Sequence, residues 1–297
     1  MKRKLTIILR RVSDEINRTN RRFDIFTAAR HGRRCLFALV GVFAKQKLLR
    51  VKSAWMLILL SLFVPLSLFG QDFVMNGTVL VRYRGNAANV TIPEGVTSIG
   101  KVAFWRHTSL TNITIPDSVT TIEDSAFWGC TSLTSVIIPD GVTIIENNTF
   151  VGCESLTSIS IPPSVISIGE RAFSGCRSLA SISIPPSVIS IGERAFGSCY
   201  SLTSVTIPDG VTSIGKGTFV NCRSLTSITI PTNITSIGER AFEGCNGFTS
   251  VTIPPSVTSI GDYTFTLCGN LKTVTVSRRT KIGVRAFPSA TQITYSD

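Results

Sequence analysis

The apolar positions of this chain recur on a short fixed pattern. In Ser201–Arg223, SLTSVTIPDGVTSIGKGTFVNCR, the apolar Leu202, Val205 and Ile207 are set against Ser204 and Thr206. Alternation of β-branched and hydroxyl residues predicts a short strand with one buried face. Pro208 ends it, having no amide hydrogen to continue a ladder, and Asp209-Gly210 supplies turn chemistry. Val211 and Ile214 make a second apolar pair, a short extended segment closed by Gly215. Phe219 and Cys222 lie three apart, which suits one helical or 3-10 turn with both side chains inward.

The pattern repeats every 23 residues. It holds phenylalanine at 104, 127, 150, 173, 196, 219, 242 and 265, and cysteine at 130, 153, 176, 199, 222, 245 and 268. Proline keeps the same register from Pro93 to Pro254, leucine from Leu110 to Leu271 with Phe248 as the exception, and isoleucine from Ile99 to Ile260. A single rung cannot bury its inward side chains, so stacked neighbours must build the core. With parallel strands about 4.8 Å apart, the rungs predict a rod or gentle arc and one independent domain.

Charge divides the chain differently. The formal charge is +12, yet residues 1–53 hold 15 of the 30 Lys and Arg and only three of the 18 acids. The rest is neutral. Nucleic acid is therefore not an expected partner, since that needs basic charge on the folded surface. Ala54–Gly70, AWMLILLSLFVPLSLFG, is a 17-residue uncharged run behind a basic flank, the pattern of a secretory signal peptide. It is at the lower limit for a membrane span, and membrane contact is expected only through it. A retained anchor with a basic tail is the alternative to cleavage. Residues 1–50 read as an over-long start or an unusual leader. The chain is expected to be exported: secreted, periplasmic or on the outer cell surface.

The 23-residue unit with its IP, IG, AF and C marks resembles the BspA-like (Treponema-type) leucine-rich repeat of bacterial surface proteins, over about residues 89–288. That resemblance implies a leucine-rich-repeat solenoid, α/β in class and mostly β. Its right-handed stack has one parallel strand, a second short extended segment and a helical or 3-10 turn per rung. It also implies an exported protein, some of whose relatives bind host matrix proteins or other bacteria. Residues 71–88 hold Asn76-Gly77 between apolar residues, a hairpin signal, and are expected to cap the stack. Residues 289–297 are expected to add a closing strand.

No catalytic, metal or cofactor site is expected. A catalytic centre needs unlike groups converging at one point, and near-identical rungs offer the same groups everywhere: residues 158–173 and 181–196 are both SISIPPSVISIGERAF. Cysteines in one column have parallel side chains, poorly placed for disulfides, and a line of ligands is not a tetrahedron. Buried thiols acting as small hydrophobes are expected. His107, in the cysteine column of the first rung, reads as a cap residue.

Binding chemistry is sought in two places. The outward strand positions form a neutral hydroxyl face that includes Asn112, Thr114, Ser135, Ile137, Ser204, Thr206, Ser227 and Thr229. Trp105, Arg106 and Trp128 stand out at the N-terminal end, since hot spots favour Trp, Tyr and Arg; the two tryptophans, one period apart, are expected to stack. Core or cap packing is the competing account of those tryptophans. Two functions remain open: an adhesin-like module binding extracellular or surface proteins, or a passive, antigenically variable array with no dedicated ligand.

Overall fold

Most rungs add two strands, one to each of two parallel sheets, and the rung at 181–191 adds one strand and a single bridge. Three-residue strands such as Ser204–Thr206 and Ser227–Thr229 pair one period apart, Ser204 with Ser227, Val205 with Ile228 and Thr206 with Thr229. The second extended segment is itself a strand of two residues: Ser213–Ile214 pairs with Ser236–Ile237 in the same way. These contacts come from a computed structural model that describes residues 72–296, all within one unit, Val64–Asp297. The basic leader and the signal-like run 54–70 lie outside the described residues.

The N-terminal cap is an antiparallel hairpin, Phe73–Asn76 with Val79–Tyr83. Its loop is Gly77-Thr78, with Gly77 at φ 59°, one residue beyond the Asn76-Gly77 pair that signals it. A glycine with positive φ at the first central position is the mark of a tight hairpin turn. Val79–Tyr83 then pairs in parallel with Ser98–Ile99, so the hairpin closes the second sheet. At the other end Gln292–Ser296 pairs along the whole of Thr273–Ser277 and extends the first sheet.

The third side of each rung is not helical. Among the described residues no helix forms, and the segment around each phenylalanine is a turn. Its amides alternate in direction. Ala103, Trp105 and His107 donate three residues back, to Gly100, Val102 and Phe104, while Val102, Phe104 and Arg106 donate to Asp124, Ala126 and Trp128 of the next rung. A helix would keep every bond inside its own segment; here half the donors are needed to hold the stack together. The alternation requires left-handed backbone at two positions per rung. One column runs Val102, Ser125, Asn148, Arg171, Arg194, Gly217, Arg240 and Tyr263, all with φ between 52° and 60°. Left-handed backbone costs roughly 1–2 kcal/mol for a residue with a Cβ, and the inter-rung hydrogen bonds offset it.

Inside the turn, the phenylalanines form one continuous column. Phe104 through Phe265 are fully buried, and successive ring centroids stand 5.1–5.5 Å apart with interplanar angles of 1–17°. Tyr83 and Phe73 continue the column into the hairpin, and Phe287 ends it. Burying such a ring contributes roughly 1.5–3 kcal/mol, and each aromatic pair about 0.5–1.5 kcal/mol more.

Candidate binding surface

The hydroxyl face is as outward as its alternation implies. Asn112, Thr114, Ser204, Thr206, Ser227 and Thr229 are exposed, Ser135 is half-buried, and Ile137 is 74% exposed. The face is not a row of free groups at its start, because Asn112 Nδ2 donates to Asn89 Oδ1 at 2.8 Å. Beside it runs a threonine column that spacing alone did not single out. Thr134, Thr157 and Thr226 each donate a hydroxyl proton to the backbone carbonyl one rung earlier, at 3.0–3.2 Å. Those hydroxyls brace the sheet and are committed.

Trp105 and Trp128 project from the position after the phenylalanine and are 43% and 41% exposed. They do not stack on each other among the described ring contacts. Arg106 accounts for this: its guanidinium lies over the Trp105 ring at 4.9 Å, and its stem crosses Gly129 in the next rung. Arg106 thus joins the Trp105 and Trp128 rungs. A cavity of about 320 Å³ adjoins Trp105, lined by Arg82, Tyr83, Arg84 and His107 among others.

The cysteine column is buried throughout, with free thiols. Each thiol has a partner the sequence did not announce. Cys130 Sγ donates to Phe104 O at 3.1 Å, and the same bond recurs at every rung to Cys268 and Phe242. His107 stands at the head of this column, and its Nε2 lies 2.9 Å from the backbone carbonyl oxygen of Tyr83, whose ring joins the aromatic stack. Burial pushes the thiols of Cys130, Cys222 and Cys268 up to about 12, and those of Cys153, Cys176, Cys199 and Cys245 upward as well. Such thiols stay protonated and are poor nucleophiles and ligands. Among the described residues, no three His, Cys, Asp or Glu side chains are grouped to hold a metal ion.

A second cleft lies on the turn side in the middle of the stack and was not foreseen. It encloses about 340 Å³, and its lining includes Arg171, Arg194, Lys216, Arg240, Ser198 and Asn221. Two glycines make it. Gly217 occupies the column that Arg171, Arg194 and Arg240 share, and Gly197 the column that holds Trp105 and Trp128 higher up.

The BspA type leucine rich repeat region matches residues 82–203 and 189–296, in six copies. This chain belongs to that BspA-type family. Among solved structures it is similar to the leucine-rich-repeat protein of T. pallidum, at 34% identity with a TM-score of 0.56, covering 60% of this chain and 88% of that one. It is also similar to a leucine-rich-repeat protein from Bacteroides ovatus, at 28% identity and a TM-score of 0.59, covering 74% and 69%. No curated protein matches. A BspA-type stack is a leucine-rich-repeat solenoid, an architecture that works typically as a binding scaffold with an extended surface.

Proposed function

We propose that this chain is an exported bacterial surface protein whose solenoid binds extracellular or surface proteins, of the host matrix or of other bacteria, in the manner of an adhesin. The observation that carries this reading is the pair Trp105 and Trp128, each more than 40% exposed, with Arg106 between their rungs. Large aromatic rings left in water beside an arginine are the residue types that anchor interfaces. The hydroxyl face beside them supplies hydrogen-bonding groups without anchors of its own. Near-identical rungs repeat the same groups along the stack, so the reading is of a binding module and not an enzyme. Export rests on the basic flank and apolar run of residues 45–70.

The test is saturable binding of the purified chain to immobilised matrix and mucosal glycoproteins, with Trp105→Ala and Trp128→Ala compared with the parent. Binding at low-micromolar concentration that falls at least tenfold in either variant supports the proposal. Undiminished binding in both variants removes the tryptophan anchor. Absence of any saturable partner favours the second reading, a passive array, which the identical rungs 158–173 and 181–196 favour.

A further inference from the structure

We infer that the cleft between the Arg171 and Arg240 rungs is a site for an acidic polysaccharide, one carboxylate- or sulfate-bearing sugar at a time along the stack. The floor is backbone. Gly197 and Gly217 are both buried, and the stem of Arg194 folds across Gly217, so that a Cβ there would stand 3.0 Å from Arg194 Cγ. The walls are cationic, but the cations differ in how they are held. Lys216 pairs with Glu239 at 2.8 Å, Arg240 with Glu239 at 3.3 Å and with Glu243 at 3.6 Å, and Arg171 with its neighbour Glu170 at 3.6 Å. Arg194 makes no ion pair within 4 Å among the described residues, its charge reaching Glu239 only at longer range, and it is half-buried in the lining of the cleft. It is the group that an incoming anion would meet. A guanidinium presents a planar fork matched to carboxylate and similar oxyanions.

The remaining lining favours a sugar. The side chains of Ser174, Ser198 and Asn221 make no hydrogen bond among the described residues and face a cleft with room for hydroxyl groups. Spacing separates the saccharide from an acidic peptide. The turn-side cations recur once per rung, and the rings beneath Arg171, Arg194, Gly217 and Arg240 are each 5.5 Å apart. In an extended peptide, side chains on one face recur at roughly 6.8 Å, which falls out of step within two or three rungs. Glu243, at one end of the cleft, marks where a polyanion would stop.

The experiment is calorimetric titration of the full chain at physiological salt with four probes of matched length. These are an oligogalacturonate carrying carboxylates alone, a heparin-derived oligosaccharide carrying both anions, a carboxyl-reduced neutral oligosaccharide, and an oligoglutamate peptide. Either acidic oligosaccharide should bind at least tenfold more tightly than the peptide, and the neutral sugar should not bind. Binding of oligogalacturonate assigns the carboxylate; binding of the heparin fragment alone assigns the sulfate. Arg194→Ala should weaken binding at least tenfold. Gly217→Arg is the sharper variant, because it adds a positive charge while filling the cleft, and Arg171, Arg194 and Arg240 in the same column show that arginine adopts this backbone conformation. Tenfold weaker binding by Gly217→Arg supports a shaped site. Equal or tighter binding by that variant, equal binding of the peptide, or no effect of Arg194→Ala overturns it. Trp105→Ala should leave this binding unchanged, so failure here and failure of the tryptophan anchor are separately visible.

Discussion

Residues 158–173 and 181–196 are the same sixteen residues, yet they do not make the same surface. Their backbones agree closely in the turn: Arg171 and Arg194 have φ of 52° and 53°, and Phe173 and Phe196 donate to the next rung at 2.8 and 2.9 Å. Elsewhere they part. Ser158–Ser160 pairs fully with Ser135–Ile137, whereas the copy at 181–183 keeps a single bridge, Ser181 to Ser204. Arg171 is exposed and rests on Glu170, while Arg194 is half-buried over Gly217. The rings Phe173 and Phe196 are buried alike because each meets a phenylalanine above and below. Their outer groups differ because the next rung differs, and the cleft lies where it does.

The comparison can be strained first through the shared core. All seven described cysteines are neutral and buried, with thiols raised toward about 12 where a value is resolved. A raised folded pKa means that the thiols' contribution is complete below the unfolded value, about 8.5. It is lost as pH climbs from there through the folded value. Urea midpoints should therefore hold up to about pH 8 and fall steeply by about pH 11; a flat profile would contradict the buried column. Native thiols should also resist alkylating reagents until the chain is unfolded.

Next come the rings. Phe173→Ala and Phe196→Ala should each cost about 3–5 kcal/mol, and the two losses should agree to within about 1 kcal/mol if the twin cores are equivalent. Urea denaturation of both variants checks this, and a clear inequality would break the comparison at its strongest point. Gly217→Arg should cost about 1 kcal/mol, the strain of a Cβ in left-handed backbone, seen as a small drop in Tm. Smallest is Glu170→Gln, which removes the partner of Arg171 in an exposed pair. It should shift stability by no more than about 0.5 kcal/mol, and Glu193→Gln in the twin rung should do the same.

Much of this was legible in the residues. The period, the phenylalanine and cysteine columns and the two extended segments follow from side chains whose burial depends only on register. The turn was misread as helical because Phe219 and Cys222 are spaced alike in both conformations. What separates them is the direction of alternate amides, and those point to another rung. The expected stacking of Trp105 on Trp128 failed for a similar reason, since Arg106 is adjacent in sequence but its side chain reaches into the next rung. The cleft left one faint trace. Gly217 breaks an otherwise charged run of Arg171, Arg194 and Arg240, and reading columns for missing side chains would have found it.

The sequence by itself determined that this chain stacks, with what period, and which residues face inward, because hydrophobic burial and the 23-residue register act at every rung alike. Only the tertiary structure decided how each turn is hydrogen-bonded, which cations form close ion pairs and that Gly197 and Gly217 line one cleft. Those outcomes belong to pairs of neighbouring rungs, and a surface group takes its position from whatever the next rung places beside it.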